Sequence, residues 1–154
     1  MDHFDYSESV VVADSPENLY DLVTDIARTG EWSPICTACW WDGDGGPRAG
    51  AWFTGRNEAD GRVWETSSQV EIAQRGKQFA WLVGGAFARW SYTFAPVEGG
   101  TSLTESWEFR PEGIAMFNEK YGSEAQARID KRVEQARAGI PTTLAAIRRI
   151  AESG

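Results

Sequence analysis

The chain has 154 residues, 42% of them hydrophobic and 12% aromatic, with eight tryptophans. That is the length of one ordinary domain, able to bury roughly two thirds of its unfolded surface. A formal net charge of −8 repels phosphate backbones and anionic membrane surfaces, which argues against a nucleic-acid partner.

The opening run Met1-Asp2-His3-Phe4-Asp5-Tyr6 carries no basic segment leading into an apolar one, and no apolar span reaches membrane length. A cytoplasmic protein without stable membrane insertion is therefore expected. Tyr6 to Val12 has β character. Asp14-Ser15-Pro16-Glu17 reads as a helix start, with Ser15 as N-cap, Pro16 at the first helical position and Glu17 near the positive end of the dipole. Leu19, Leu22, Val23 and Ile26 give that short helix its buried side, and it ends by Thr29-Gly30. Trp32-Ser33-Pro34 closes a second small turn or helix and leads into a strand over Thr37 to Trp41.

A meander of strands follows, Ala51 to Glu58, Arg62 to Ala73, Gln78 to Val83, Ala88 to Val97 and Thr101 to Arg110, separated by Gly- and Asp-rich turns. Connections this short make neighbouring strands antiparallel. Alternation sorts each strand into two faces. Phe53, Gly55 and Asn57 share a side; so do Trp64, Thr66, Ser68, Val70 and Ile72; then Phe79, Trp81 and Val83; then Trp90, Tyr92 and Phe94; then Leu103, Glu105, Trp107 and Phe109. The other faces carry Arg56, Glu58, Glu65, Gln69, Glu71, Arg89, Thr104, Ser106 and Glu108, which suits water.

Pro111 to Gly122 contains Ile114, Met116, Phe117 and Tyr121 without a clear period, as either a lid or a short helix packed on the core. Beyond it, Ala125, Ile129, Val133, Ala136, Ile140, Leu144, Ile147 and Ala151 recur at helical spacing. Arg128, Asp130, Lys131, Arg132, Glu134 and Arg137 lie between them and define a solvated face. Ser123 and Gln126 have the spacing of a capping box. At 1.5 Å per residue this helix is roughly 40 Å long, enough to cover a whole sheet. Pro141 interrupts it, but the apolar phase runs through, so one bent helix is predicted.

Eight tryptophans exceed the needs of a core this size and point to a lined hollow, with a solid aromatic core as the alternative. Glu105 falls among Leu103, Trp107 and Phe109. A carboxyl there is either paired to satisfy a buried group, by Asn57, Tyr92 or Ser68, or has a raised pKa suited to ligand contact or acid/base work. His3 is the single histidine and stands in a terminus expected to fray, so Ser-His and Cys-His nucleophiles and the usual zinc spacings do not arise. Cys36-Thr37-Ala38-Cys39 has the C-x-x-C form but leads a meander strand, whereas the redox motif opens a helix of a βαβ unit. Asp42-Gly43-Asp44-Gly45-Gly46 lacks the later ligands of a calcium loop, and no cofactor or metal is called for.

The order of strand, two short helices, six-strand meander and long C-terminal helix resembles the START-like, or helix-grip, superfamily. More narrowly, Gly30-Glu31-Trp32-Ser33-Pro34, Gly50-Ala51-Trp52-Phe53-Thr54-Gly55-Arg56-Asn57, Ala88-Arg89-Trp90-Ser91-Tyr92 and Gly99-Gly100-Thr101-Ser102-Leu103-Thr104-Glu105-Ser106-Trp107-Glu108 are similar to actinobacterial proteins described as polyketide cyclase/dehydrase. The resemblance implies an α+β fold, a curved antiparallel seven-stranded sheet wrapped around the C-terminal helix, with a largely apolar cavity between them. Phe53, Asn57, Trp64, Ser68, Trp81, Trp90, Tyr92, Glu105 and Trp107, with Phe117, Ile129, Val133, Ile140 and Leu144, are then the expected ligand contacts. The expected ligand is a hydrophobic, aromatic or polycyclic small molecule. The alternatives are an aromatase/cyclase or dehydratase using Glu105 and Tyr92, and an interaction or stress module without ligand. Aromatase/cyclases also imply an Arg in the pocket, and none falls on the predicted inner face. Monomer and homodimer both remain open.

Overall fold

The computed structural model describes residues 4–153, so the expectation for His3 lies outside the described residues. Its elements are β1 (Asp5–Val12), α1 (Pro16–Val23), a 3₁₀ segment (Ile26–Glu31), β2 (Cys36–Trp41), β3 (Trp52–Ala59), β4 (Arg62–Gln74), β5 (Gln78–Val83), β6 (Ala88–Val97), β7 (Gly100–Phe109), α2 (Pro111–Tyr121) and α3 (Ala125–Ser153). The seven strands form one antiparallel sheet in the order β1-β7-β6-β5-β4-β3-β2. With the short helices after β1 and the long helix at the end, this is the α+β helix-grip fold.

Local chemistry explains the joints. Ser15 caps α1 by accepting a hydrogen bond from the Asn18 amide at 3.1 Å, one of the first-turn donors that has no partner within the helix. The β3–β4 hairpin turns on Asp60 and Gly61, both at positive φ, 54° and 74°. Two such residues make the tight turn whose twist matches that of antiparallel strands.

Two bulges alter the strict alternation. In β4 the register shifts between Val70, opposite Trp81, and Ile72, opposite Ala80, so that Ala73 faces Phe79. Ile72 thus leaves the inner face on which alternation places it, and Ala73 packs against the core. In β2 the register shifts between Cys36, opposite Asn57, and Ala38, opposite Arg56. Thr37 is the extra residue there, and Cys36 and Cys39 end on one face.

The segment after β7 is the helix α2. Its Gly113 lies so close to the Phe87 carbonyl and to Phe109 Cε1, 2.7 Å from an ideal Cβ, that no side chain fits between. The capping box expected ahead of α3 does not form. Gly122–Glu124 is a 3₁₀ turn, and Gln126 instead donates to Asp130 Oδ1 at 2.9 Å. The helix then runs unbroken for 29 residues with an exposed Pro141 inside it. Ile129, Ala136, Ile140, Leu144 and Ile147 are buried. Its close backbone approaches to the sheet are to β1 and β7, and Glu152 Oε2 accepts from the Ala13 amide at 2.9 Å to pin its far end.

Candidate functional site

Because α3 seats on β1 and β7 and α1 covers only the Phe79 and Phe94 end of β5 and β6 through Tyr20, the rest of the inner face of β3 to β6 is left without a helix pressed on it. The space is a cavity of about 580 Å³, within the range of pockets that enclose small organic ligands. The inward faces of the meander wall it. Phe53 and Asn57 of β3, Trp64 and Ser68 of β4, Trp81 of β5, Trp90 and Tyr92 of β6, and Glu105 and Trp107 of β7 all line it. Phe117 of α2 and Ile140 of α3 complete the set brought together from the expected contacts.

Antiparallel register explains the neighbours. Trp81, Trp90 and Trp107 are directly opposite one another across β5, β6 and β7. Trp81 and Trp90 lie 6.4 Å apart and 14° from parallel, and Trp90 and Trp107 lie 6.3 Å apart. Phe79, Tyr92 and Glu105 form the next row.

Ile129, Val133 and Leu144 are not on the cavity wall, contrary to the expectation placed on them. They belong to the apolar stripe that turns toward the packed side of the core, where Ile129 and Leu144 are 2% and 0% exposed and Val133 is partly buried. The stripe beside it supplies the wall: Arg132, Gln135, Ala136, Gly139, Ile140 and Thr143, at steps of three and four. Arg132 is placed on the solvated face by the same periodicity. It is half-buried, with its guanidinium carbon 5.1 Å from the Trp64 ring and 5.8 Å from the Phe117 ring. The pocket therefore does contain arginines, Arg132 delivered by the helix and Arg62 by the exposed start of β4.

Glu105 is 4% exposed, and its Oε1 has no hydrogen-bond partner among the described residues. Asn57 does not provide one, since its amide donates to Thr66 Oγ1 at 3.3 Å and to the Trp64 carbonyl at 3.5 Å. Burial raises the Glu105 pKa to about 8, and the Tyr92 hydroxyl opposite it opposes that shift without cancelling it. Near neutrality this is a carboxylic acid, a hydrogen-bond donor facing an aromatic hollow. Tyr92 stays protonated far into the alkaline range, first because it is buried and then because Glu105 stands beside it.

The two thiols also face the cavity. Strict alternation would put residues three apart on opposite faces; the extra Thr37 reunites them. The Cys36 thiol donates to the Ala38 carbonyl at 3.3 Å, and a hydrogen bond from Cys39 favours its thiolate and lowers its pKa. Cys39 is shifted the other way, by Cys36 and by burial. Trp32, Thr29 and Ile26, from the 3₁₀ segment and the turn after it, roof this end. Of these, only the bulge left no trace in the sequence; the roof was legible as a turn but not as a wall.

Among the described residues no helix is long and apolar enough to cross a membrane. No curated protein matches the chain. Among solved structures it is similar to the Polyketide_cyc-like protein Cgl2372 from Corynebacterium glutamicum, at 47% identity over 98% of this chain and 93% of that one, TM-score 0.73. It shares its fold with protein NE0264 from Nitrosomonas europaea, at 16% identity over 97% of this chain and 94% of that one, TM-score 0.66. The di-domain ARO/CYC protein StfQ from the steffimycin biosynthetic pathway shares it too, at 14% identity over 97% of this chain and 51% of that one, TM-score 0.70. Residues 3–138 match the family described as polyketide cyclase / dehydrase and lipid transport, and the chain belongs to that family.

Proposed function

We propose that the protein binds a flat, hydrophobic, aromatic or polycyclic small molecule in the cavity between β3–β6 and α3. The observation that carries this reading is a hollow of about 580 Å³ bordered by a row of three indoles and a single uncharged acid. Family membership supports a hydrophobic-ligand or polyketide-cyclase role at the coarser level. A planar ligand gains from rings on several sides, and the few polar groups fix its orientation. Titration with a panel of neutral polycyclic fluorophores tests it. Saturable binding at one site is expected, and Trp90→Ala should weaken it; absence of binding across the panel would overturn it.

The orphaned Glu105 Oε1 favours a second reading, in which the same cavity folds a reactive polyketide-like chain and Glu105 acts as general acid. A protonated carboxyl near pH 7, with a protonated Tyr92 across the ladder, can give a proton to a carbonyl or a leaving hydroxyl. Glu105→Gln keeps the shape and removes the proton. Binding that survives this substitution with no turnover in the wild type supports a carrier. Turnover of an enol or polyketide-like substrate, lost in the variant, supports catalysis.

A further inference from the structure

Four cations crowd the edge of the cavity with no carboxylate to answer them. Arg62 and Lys120 line it and are exposed, which places them at its open side; Arg132 lines it from α3. Beside it is a small cleft of about 50 Å³ that shares Arg62, Trp64, Arg132 and Gln135 with the main cavity and adds Arg128. Among the described residues, none of the ion pairs includes Arg62, Lys120, Arg128 or Arg132. Of the three acids on these walls, Asp60 pairs with Lys131 at 3.1 Å and Glu65 with Arg56 at 3.3 Å, and Glu105 is the buried acid opposite Tyr92.

Arg132 is the informative member. It is half-buried, and like-charged Arg62 and Arg128 are near enough to add to burial in disfavouring its charge. Its one side-chain hydrogen bond among the described residues goes from Nη1 to Gln135 Oε1, 3.2 Å. The guanidinium carbon lies over the Trp64 and Phe117 rings, and among the described residues Nε and Nη2 have no hydrogen-bond acceptor. Arg128 is held in a similar way, its guanidinium carbon 4.3 Å from the Tyr121 ring. On a chain with net charge −8, a preset fork with free donors among three further cations is a positive focus in a negative field.

We propose that this rim is an oxyanion subsite, so that the ligand is an amphiphile whose apolar body fills the cavity and whose carboxylate or phosphate ester is held at the mouth by Arg132, with Arg62, Lys120 and Arg128 around it. The inference rests on the ligand-cavity reading and adds polarity to it: the charged end faces out, and the end near Glu105 is uncharged.

Isothermal titration with pyrenebutyric acid, pyrenebutyl phosphate and pyrenebutanol separates the two. Both anions should bind about tenfold or more tighter than the alcohol at about 50 mM salt, an advantage that shrinks as salt is raised. Whichever anion binds tighter names the head group. Arg132→Gln should cost the anions about tenfold and the alcohol less than about twofold. Arg62→Gln, at an exposed position that does not threaten folding, should cost the anions alone about threefold. Equal affinity for acid and alcohol, or equal loss of all three ligands in Arg132→Gln, overturns the subsite and leaves the cavity reading standing. Binding of none of the three overturns the cavity reading, and the subsite with it.

Discussion

A carboxyl set between Leu103 and Trp107 on a buried strand face loses its water, and at Glu105 nothing replaces it on Oε1. The folded state therefore holds the proton more tightly than the unfolded chain, to about pH 8 against an ordinary value of 4.5. The sign follows from linkage. The group's contribution to stability is intact below the unfolded pKa and is lost as pH rises toward 8. The loss across that window is on the order of a few kcal/mol. Urea unfolding should show wild-type stability falling between pH 5 and 8.5, whereas Glu105→Gln, neutral throughout, should lack that component and be the more stable of the two at the alkaline end. Parallel curves for the two proteins would contradict it. Cys36 is the second residue whose reactivity the fold changes. Because Cys39 hydrogen-bonds to it, Cys36 should react with iodoacetamide faster than Cys39, and Cys39→Ala should slow it, as peptide mass mapping at short times would show. A bound cavity ligand should protect both.

Elements explain why some of this was readable from sequence and some was not. The hairpin turns, the Ser15 cap and the one-sided aromatic pattern are short-range signals, and they specified the neighbours along the meander and the inner face of β3, β5, β6 and β7, whereas the pairing of β1 with β7 is long-range and had no such signal. The β2 and β4 bulges have no such signal: Thr37 and Glu71 look like ordinary strand residues, and only the partner strand reveals that each is surplus. For α3 the periodicity found the apolar stripe but could not say that the sheet touches only part of the helix. Periodicity alone therefore puts Leu144 on the cavity and Arg132 in solvent, and the structure exchanges them. The same distinction yields a test. Leu144→Ala should cost about 2–5 kcal/mol of stability while leaving cavity-ligand affinity nearly unchanged, measured by urea unfolding and titration of the same protein. At the other cover, Gly113→Ala places a Cβ 2.7 Å from Phe109 Cε1 and against the Phe87 carbonyl, and should cost about 1–3 kcal/mol by pushing α2 off β7.

At the scale of the molecule, two features set the behaviour of the whole: a helix that closes only one side of a curled sheet, and a charge distribution that opposes its own average at one edge. The first leaves volume unfilled, at a cost in stability that a ligand recovers; at a hundred times its Kd, a ligand that binds only the native state adds about 2.7 kcal/mol. The second decides which ligands arrive. The row of Trp81, Trp90 and Trp107, with centroids 6.3 to 6.4 Å apart, has an optical result. Transition dipoles that close couple through space, and the 51° tilt between Trp90 and Trp107 should make that pair contribute an exciton couplet to the far-ultraviolet circular dichroism. A flat guest lying against those rings would disturb the coupling. Occupancy of the hollow can thus be followed in unlabelled protein from its own spectrum.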